Sequence, residues 1–190
     1  MSPEEFKENW EVTGEAIVSM PSSHLDGLGL NPQSVSFLSI AGLPDGASPF
    51  LSFAQRGGSS SYCVRLTELY DFLPPEHERY ISIGFDGSGN PVAIDTADDD
   101  RVVWLDHEDD FAKSYMNASV SSLAQFLLMY RDFVLTLLKS KGDDAFLDGD
   151  FTQEEFDSLR SKLEDTDPIA LKQGHFWEME LRTLMSNRRT

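Results

Sequence analysis

The chain has 190 residues, the length of one ordinary domain. Its 33 acidic and 15 basic side chains give a net charge of −18, which excludes a surface that grips nucleic acid phosphates and disfavours docking to anionic membranes. A hydrophobic fraction of 40%, with thirteen Phe and three Trp, supplies a core and excludes a wholly disordered chain.

Ser2 caps a first helix: Pro3 suits its first position, Glu4 and Glu5 favour the positive end of its dipole, and Phe6 and Trp10 share a face. Residues 21–31 have loop composition. Asn31 caps a second helix that begins at Pro32 and stops where Gly42 takes a left-handed position before Leu43 and Pro44. Val35, Phe37, Leu38 and Ile40 also allow a strand, but caps at both ends favour the helix. Residues 49–54 alternate loosely, and Gly57-Gly58-Ser59-Ser60-Ser61 reads as a flexible loop. Residues 80–85 form a strand with Ile81 and Ile83 on one face, Asp86-Gly87-Ser88-Gly89-Asn90 a turn, and 91–95 the returning strand. Asp98-Asp99-Asp100 turns again into a strand over 101–105, which predicts a three-stranded antiparallel meander.

The longest helix starts at Ser119 and runs to about Lys139, with Leu123, Phe126, Leu127, Tyr130, Val134, Leu137 and Leu138 on its buried face. Thr152 and Glu155 form a capping box for a helix carrying Phe156, Leu159 and Leu163. A last helix, from about Pro168, carries Phe176, Trp177, Leu181 and Leu184. No apolar run approaches the roughly 18 residues of a membrane-spanning helix. The acidic start, MSPEEFKENW, lacks the layout of a secretory signal, and the lone Cys63 fits a reducing compartment, so the expected location is cytoplasmic. The expected fold class is α+β, a single domain over 1–190 with an antiparallel or mixed meander packed against N-terminal, long central and C-terminal helices.

Nine carboxylates fall within 25 residues: Asp86, Asp95, Asp98, Asp99, Asp100, Asp106, Glu108, Asp109 and Asp110. Such density needs full solvation, cations or a basic partner; the readings are solvated hairpin tips, a docking face for a basic macromolecule and a metal site, the last disfavoured because the spacing fits no ligand loop. Residues 144–155 align with a calcium loop through Asp144, Asp148, Gly149, Phe151 and Glu155, but Phe146 offers no oxygen at the third position, and the capping box accounts for Thr152 and Glu155. His24, His77, His107 and His175 are scattered without metal-pair spacing. His107 beside Asp106 and Glu108 is an acid–base candidate, against chance adjacency in a charged loop. Cys63 between Tyr62 and Val64 reads as a packing residue, as do Trp104, Tyr130 and Trp177. No nucleophile elbow, phosphate loop or dinucleotide fingerprint is present, and no catalytic residue, metal or cofactor is expected. Phe50, Phe53, Phe72 and Tyr115 are candidate anchors for a partner, not separable from core residues at this level.

The succession SIAGLP (39–44), YISIGFDGSGNPVAID (80–95), RVVWLDHE (101–108), MNASVSSLAQFL (116–127) and DPIALKQGHFWEMEL (167–181) resembles the SUKH superfamily of immunity proteins, and within it the fourth SUKH group. The order and spacing of these motifs carry the resemblance, with a motif-bearing core at about 33–138 and a helical C-terminal part at 139–190. It implies a SUKH-like α+β fold and a non-enzymatic role: binding and blocking a protein toxin, often a nuclease. Asp86, Asp95, Asp98, Asp99, Asp100, Asp106, Glu108 and Asp109 are the candidate acidic face for a toxin with a basic surface, with no direct contact to nucleic acid or membrane. A calcium-responsive or regulatory interaction module is the alternative.

Overall fold

The computed structural model describes residues 1–53 and 62–189. The expected 57–61 loop lies outside the described residues. Along the chain, α1 is Pro3–Glu11, β1 Ile17–Val18, α2 Ser22–Leu25, α3 Pro32–Ile40, β2 Leu43–Pro44, β3 Gly46–Ala47, β4 Leu51–Ser52, β5 Val64–Arg65 and α4 Leu66–Leu69. A 3₁₀ turn, Pro75–Arg79, leads into β6 Tyr80–Phe85, β7 Pro91–Asp95, β8 Arg101–Asp106 and β9 Ala112–Asn117. The chain then becomes helical: α5 Val120–Lys141, α6 Gln153–Thr166 and α7 Phe176–Ser186. The fold is α+β.

Local chemistry sets the helix starts. Ser2 and Glu5 form a reciprocal capping box on α1, Asn31 accepts from Gln33 N and Ser34 N at α3, and Thr152 and Glu155 close the box on α6. The second helix is a helix, as its caps indicated, and not a strand. Gly42 ends it at φ +78°, where a Cβ would stand 1.9 Å from Val18 O. The chain thereby turns sharply enough for Leu43 and Pro44 to pair with Val18 and Ile17.

The main sheet runs β3-β4-β6-β7-β8-β9, with β5 also paired to β6. Its core is a meander of four strands, because β9 pairs with β8 from Val102↔Asn117 to Asp106↔Ala112. This corrects the three-stranded expectation. β9, AKSYMN, is an edge strand with only Met116 fully apolar and buried, so it shows no hydrophobic alternation to find. Its outer side is covered by the segment before α7: Ser114 Oγ donates to Gly174 O at 3.0 Å, and Tyr115 OH donates to Asp167 Oδ2 at 2.9 Å. The last helix correspondingly begins at Phe176 and not at Pro168; the intervening residues are turns that follow this edge.

Alternation sends the strands' side chains to two unequal faces. One face carries Ile81, Ile83, Val92, Ile94, Val102 and Met116 under Phe6, Trp10, Phe37, Leu123, Phe126, Tyr130, Trp177 and Leu181 from α1, α3, α5 and α7. Burying each such large side chain contributes about 1.5–3 kcal/mol. Trp177 Nε1 donates to the buried Asn117 Oδ1 at 2.9 Å, fixing α7 to the end of β9. The other face carries Ala93, Val103 and Leu105 under a thin plug of Leu66 and Phe111, with Tyr70, Leu73 and Tyr80 alongside. By length and composition α5 is apolar enough to cross a membrane, contrary to the expectation; half of that stretch is buried within the protein, where it serves as the central core helix.

Gly42→Ala combines a left-handed backbone with a clash against Val18 O. It is expected to lower the free energy of unfolding by at least about 2 kcal/mol, read as a lower urea midpoint.

Candidate functional site

The β7–β8 and β8–β9 loops are built alike. Each spans five residues and follows a strand-terminal Asp whose side chain accepts a backbone N–H two residues on: Asp95 Oδ1 from Ala97 N at 3.2 Å, Asp106 Oδ1 from Glu108 N at 3.0 Å. Each ends in two consecutive left-handed residues, Asp99 (φ 52°) and Asp100 (φ 57°) in the first, Asp110 (φ 51°) and Phe111 (φ 56°) in the second. Asp tolerates that region better than most side chains, which explains much of the acidic run as turn chemistry.

The antiparallel registers place these loops at opposite ends of the sheet. The β6–β7 turn and the β8–β9 loop follow Phe85↔Pro91 and Asp106↔Ala112, whereas the β7–β8 loop follows Asp95↔Arg101. Strands of this length hold the two ends roughly 15–20 Å apart. The eight candidate carboxylates therefore do not share one face.

At the β7–β8 end the charges are answered from within. Asp95 is 0% exposed and takes Arg79 Nε at 2.6 Å and Lys113 Nζ at 3.2 Å. Asp98 pairs with Arg101 at 2.7 Å, and Lys113 stands 3.6 Å from it. Asp100 is buried and accepts from Asn31 N at 2.7 Å, tying the loop to the start of α3. Asp99 is exposed. Asp95 and Asp100 are consequently interior supports of the fold and no part of an accessible acidic surface.

At the other end, among the described residues, no Lys or Arg pairs with Asp86, Asp106, Glu108, Asp109 or Asp110. Glu108, Asp109 and Asp110 are exposed. Asp86 organises its turn: it accepts from Ser88 N, Asn90 N, Asn90 Nδ2 and, at 2.8 Å, Trp104 Nε1. Partial burial pushes its carboxyl upward, but those four bonds outweigh this and hold it below the usual value. Asn90 Oδ1 in turn accepts from His107 N at 3.0 Å and from His107 Nδ1 at 2.6 Å. His107 is thus a clasp between two turns. On α7, burial and then the charge of Asp86 push the Glu180 carboxyl up to about 7. Among the described residues, this sheet end is an anionic surface without paired Lys or Arg.

Around the same loop lies an aromatic ledge on the thinly covered face. Phe72 is 72% exposed, 6.0 Å from Tyr70 and 6.3 Å from Phe111 between ring centroids, and Tyr70 meets Phe111 edge-on at 4.9 Å. Phe50, 67% exposed, rests against Gly87 of the β6–β7 turn. Of the anchor candidates, Phe50 and Phe72 are therefore exposed, Phe53 is core, and Tyr115 is half-buried on Asp167. Sequence reading passed over Tyr70, Asp71 and Phe111. Its available signals were the aromatic–acid–aromatic run before Leu73-Pro74-Pro75 and the Phe that ends the acidic run.

The remaining candidates have structural partners. Cys63 is fully buried, and burial pushes its thiol up to about 12, which keeps it protonated at neutral pH. In the segment aligned with a calcium loop, Asp148 meets Arg189 at 3.2 Å and Glu155 meets Lys141 at 2.7 Å. Arg189 N donates to Gly149 O, and a Cβ at Gly149 would collide with Asn187 O, so this turn receives the chain end that follows α7. Among the described residues no three His, Cys, Asp or Glu side chains gather as metal ligands.

Two substitutions separate supporting from surface carboxylates. Asp95→Ala strands Arg79 and Lys113 beside a vacated interior and is expected to cost about 2–4 kcal/mol of stability, whereas Asp99→Asn leaves the urea midpoint unchanged. Glu180 adds a pH signature. Its folded value lies above its ordinary 4.5, so folding favours the protonated form; that stability is complete below about pH 4.5 and is lost as pH rises through about 7. Glu180→Gln is expected to raise the melting temperature by roughly 3–6 °C at pH 8 and to leave it unchanged at pH 4.

A family model described as SUKH-4 immunity protein matches residues 7–183. Comparison with curated proteins and with solved structures gives no match.

Proposed function

Because the chain belongs to the SUKH-4 immunity protein family, we propose that it binds and neutralises a cognate protein toxin whose surface is basic, and that it acts by occupation and not by catalysis. The family match over residues 7–183 carries the immunity role. The partner's charge is read from the sheet end that bears Asp86, Asp106, Glu108, Asp109 and Asp110, with no internal Lys or Arg paired to them among the described residues. A nuclease is the toxin class that fits this chemistry, since its own cleft must be cationic to hold phosphate. Occupying such a cleft with carboxylates mimics the charge of the substrate and keeps the substrate out.

Charge at the rim governs encounter more than lifetime. With the product of the adjacent reading frame as the partner, co-expression is expected to restore growth and yield a complex on size exclusion; no rescue together with no complex overturns the proposal. The pair Glu108→Lys and Asp109→Lys, both on exposed side chains, is expected to slow association roughly tenfold at low salt. Stopped-flow mixing at 0.5 M salt is expected to erase most of that difference, because screening shortens the field to a few ångström.

A further inference from the structure

We propose that the ledge of Tyr70, Phe72 and Phe111 is the anchor of this interface, and that it receives an arginine side chain of the basic partner. The inference rests on the toxin-binding reading and adds where the partner is held and by which group.

Phe72 stands 72% exposed although both its ring neighbours are fixed. Phe111 is 7% exposed and belongs to the plug on the sheet's second face, with Leu66, Val103 and Leu105 beneath it. Its ring also lies 6.2 Å from His77, so it is braced on two sides. The left-handed pair Asp110 and Phe111 turns the aromatic ring onto the sheet while its acidic neighbour remains exposed. The result is a rigid aromatic platform with one ring open to solvent. Held rigid before binding, it loses little conformational entropy when a partner seats on it.

The chemistry around the rings selects a cation. Along the chain Asp71 adjoins Phe72 and Asp110 adjoins Phe111, and Glu76 stands exposed on the 3₁₀ turn between Phe72 and β6. An aromatic face attracts a positive charge, and a planar guanidinium does so while its N–H fork remains free for carboxylates beside the ring. The protein uses the same pairing internally: Arg131 lies 4.7 Å above the Trp10 ring, and Arg79 lies 5.5 Å above Tyr80. The cations nearest the ledge in sequence have partners elsewhere: Lys113 and Arg79 on Asp95, and Arg65 on Glu78 O and Gly27 O. The ledge thus offers rings, with exposed carboxylates next to them in sequence, to a partner's cation, and among the described residues no Arg or Lys is stacked on them. A central aromatic within a charged rim is also the arrangement in which interface energy concentrates.

The test compares Phe72→Ser with Leu147→Ser, a matched control that removes an equally exposed apolar side chain from the turn before α6. Calorimetry with the adjacent-frame product is expected to show at least a tenfold loss of affinity for Phe72→Ser, carried by faster dissociation, and wild-type affinity for Leu147→Ser. A wild-type complex that Phe72→Ser leaves unchanged overturns the ledge and spares the toxin-binding reading. If the wild-type protein forms no complex, that reading fails, and hexa-arginine is titrated into the labelled protein instead. Amide shifts centred on residues 70–76 and 109–111, and lost in Phe72→Ser, keep the ledge as an arginine site. Shifts spread evenly over all acidic loops, or unchanged in that variant, overturn it.

Discussion

The sheet has two apolar faces, and helices α1, α3, α5 and α7 cover one of them. Strand alternation puts Val92, Ile94 and Val102 on one side and Ala93, Val103 and Leu105 on the other, and both sets must leave water. Helices α1, α3, α5 and α7 converge on the first side, locked by the Trp177–Asn117 hydrogen bond and the Tyr115–Asp167 contact at the sheet edge. The second side is closed by material at hand: the short α4, the residues before β6, and a phenylalanine swung in from the β8–β9 loop. A thin cover of this kind leaves its outermost ring, Phe72, in solvent.

That asymmetry organises the electrostatics. Both long hairpin loops use Asp for the same local reason, a five-residue turn that closes through two left-handed residues. They differ in what surrounds them. Arg79, Arg101 and Lys113 reach into the β7–β8 end and turn its carboxylates inward, so that a dense acidic stretch becomes a structural brace. Among the described residues the β8–β9 end receives no such cations, and burial, followed by the charge of Asp86 on the neighbouring turn, raises the protonation point of Glu180. Charge that looks uniform along the chain is therefore, among the described residues, compensated at one end of the sheet and unpaired at the other. The proposed toxin binding draws on this division: a field from a single pole orients the proposed basic partner on approach, and the proposed aromatic contact sets how long it stays.

The motifs that mark the family owe their spacing to contacts between distant segments. Gly42-Leu43-Pro44 supplies the turn that pairs β2 with β1, Asn117 receives Trp177 across 60 residues, and Asp167 accepts from Tyr115 and Ala118 N. The calcium-like stretch 144–155 resolves in the same way. Its carboxylates meet Lys141 and Arg189, and its glycine makes room for the segment after α7. A linear alignment cannot distinguish a ligand from an ion-pair partner when the partner lies forty residues away.

Capping residues, the apolar stripe of α5 and the alternating strands β6, β7 and β8 were legible in the sequence, because each is decided by interactions within a few residues. So was the net charge, on which the proposal of a basic partner rests. The edge strand β9, the late start of α7 and the interior positions of Asp95 and Asp100 were not, since a polar strand, a turn-rich covering segment and a buried carboxylate acquire their character from neighbours the chain brings in from elsewhere. The same holds for the ledge: Tyr70, Phe72 and Phe111 are three separate aromatics along the chain, and only the left-handed turn before β9 and the uneven covering of the sheet make them one surface. Short-range stereochemistry and total charge are properties of the sequence; which carboxylates and which rings face water is decided by packing, because exposure belongs to the assembled layers and not to any residue alone.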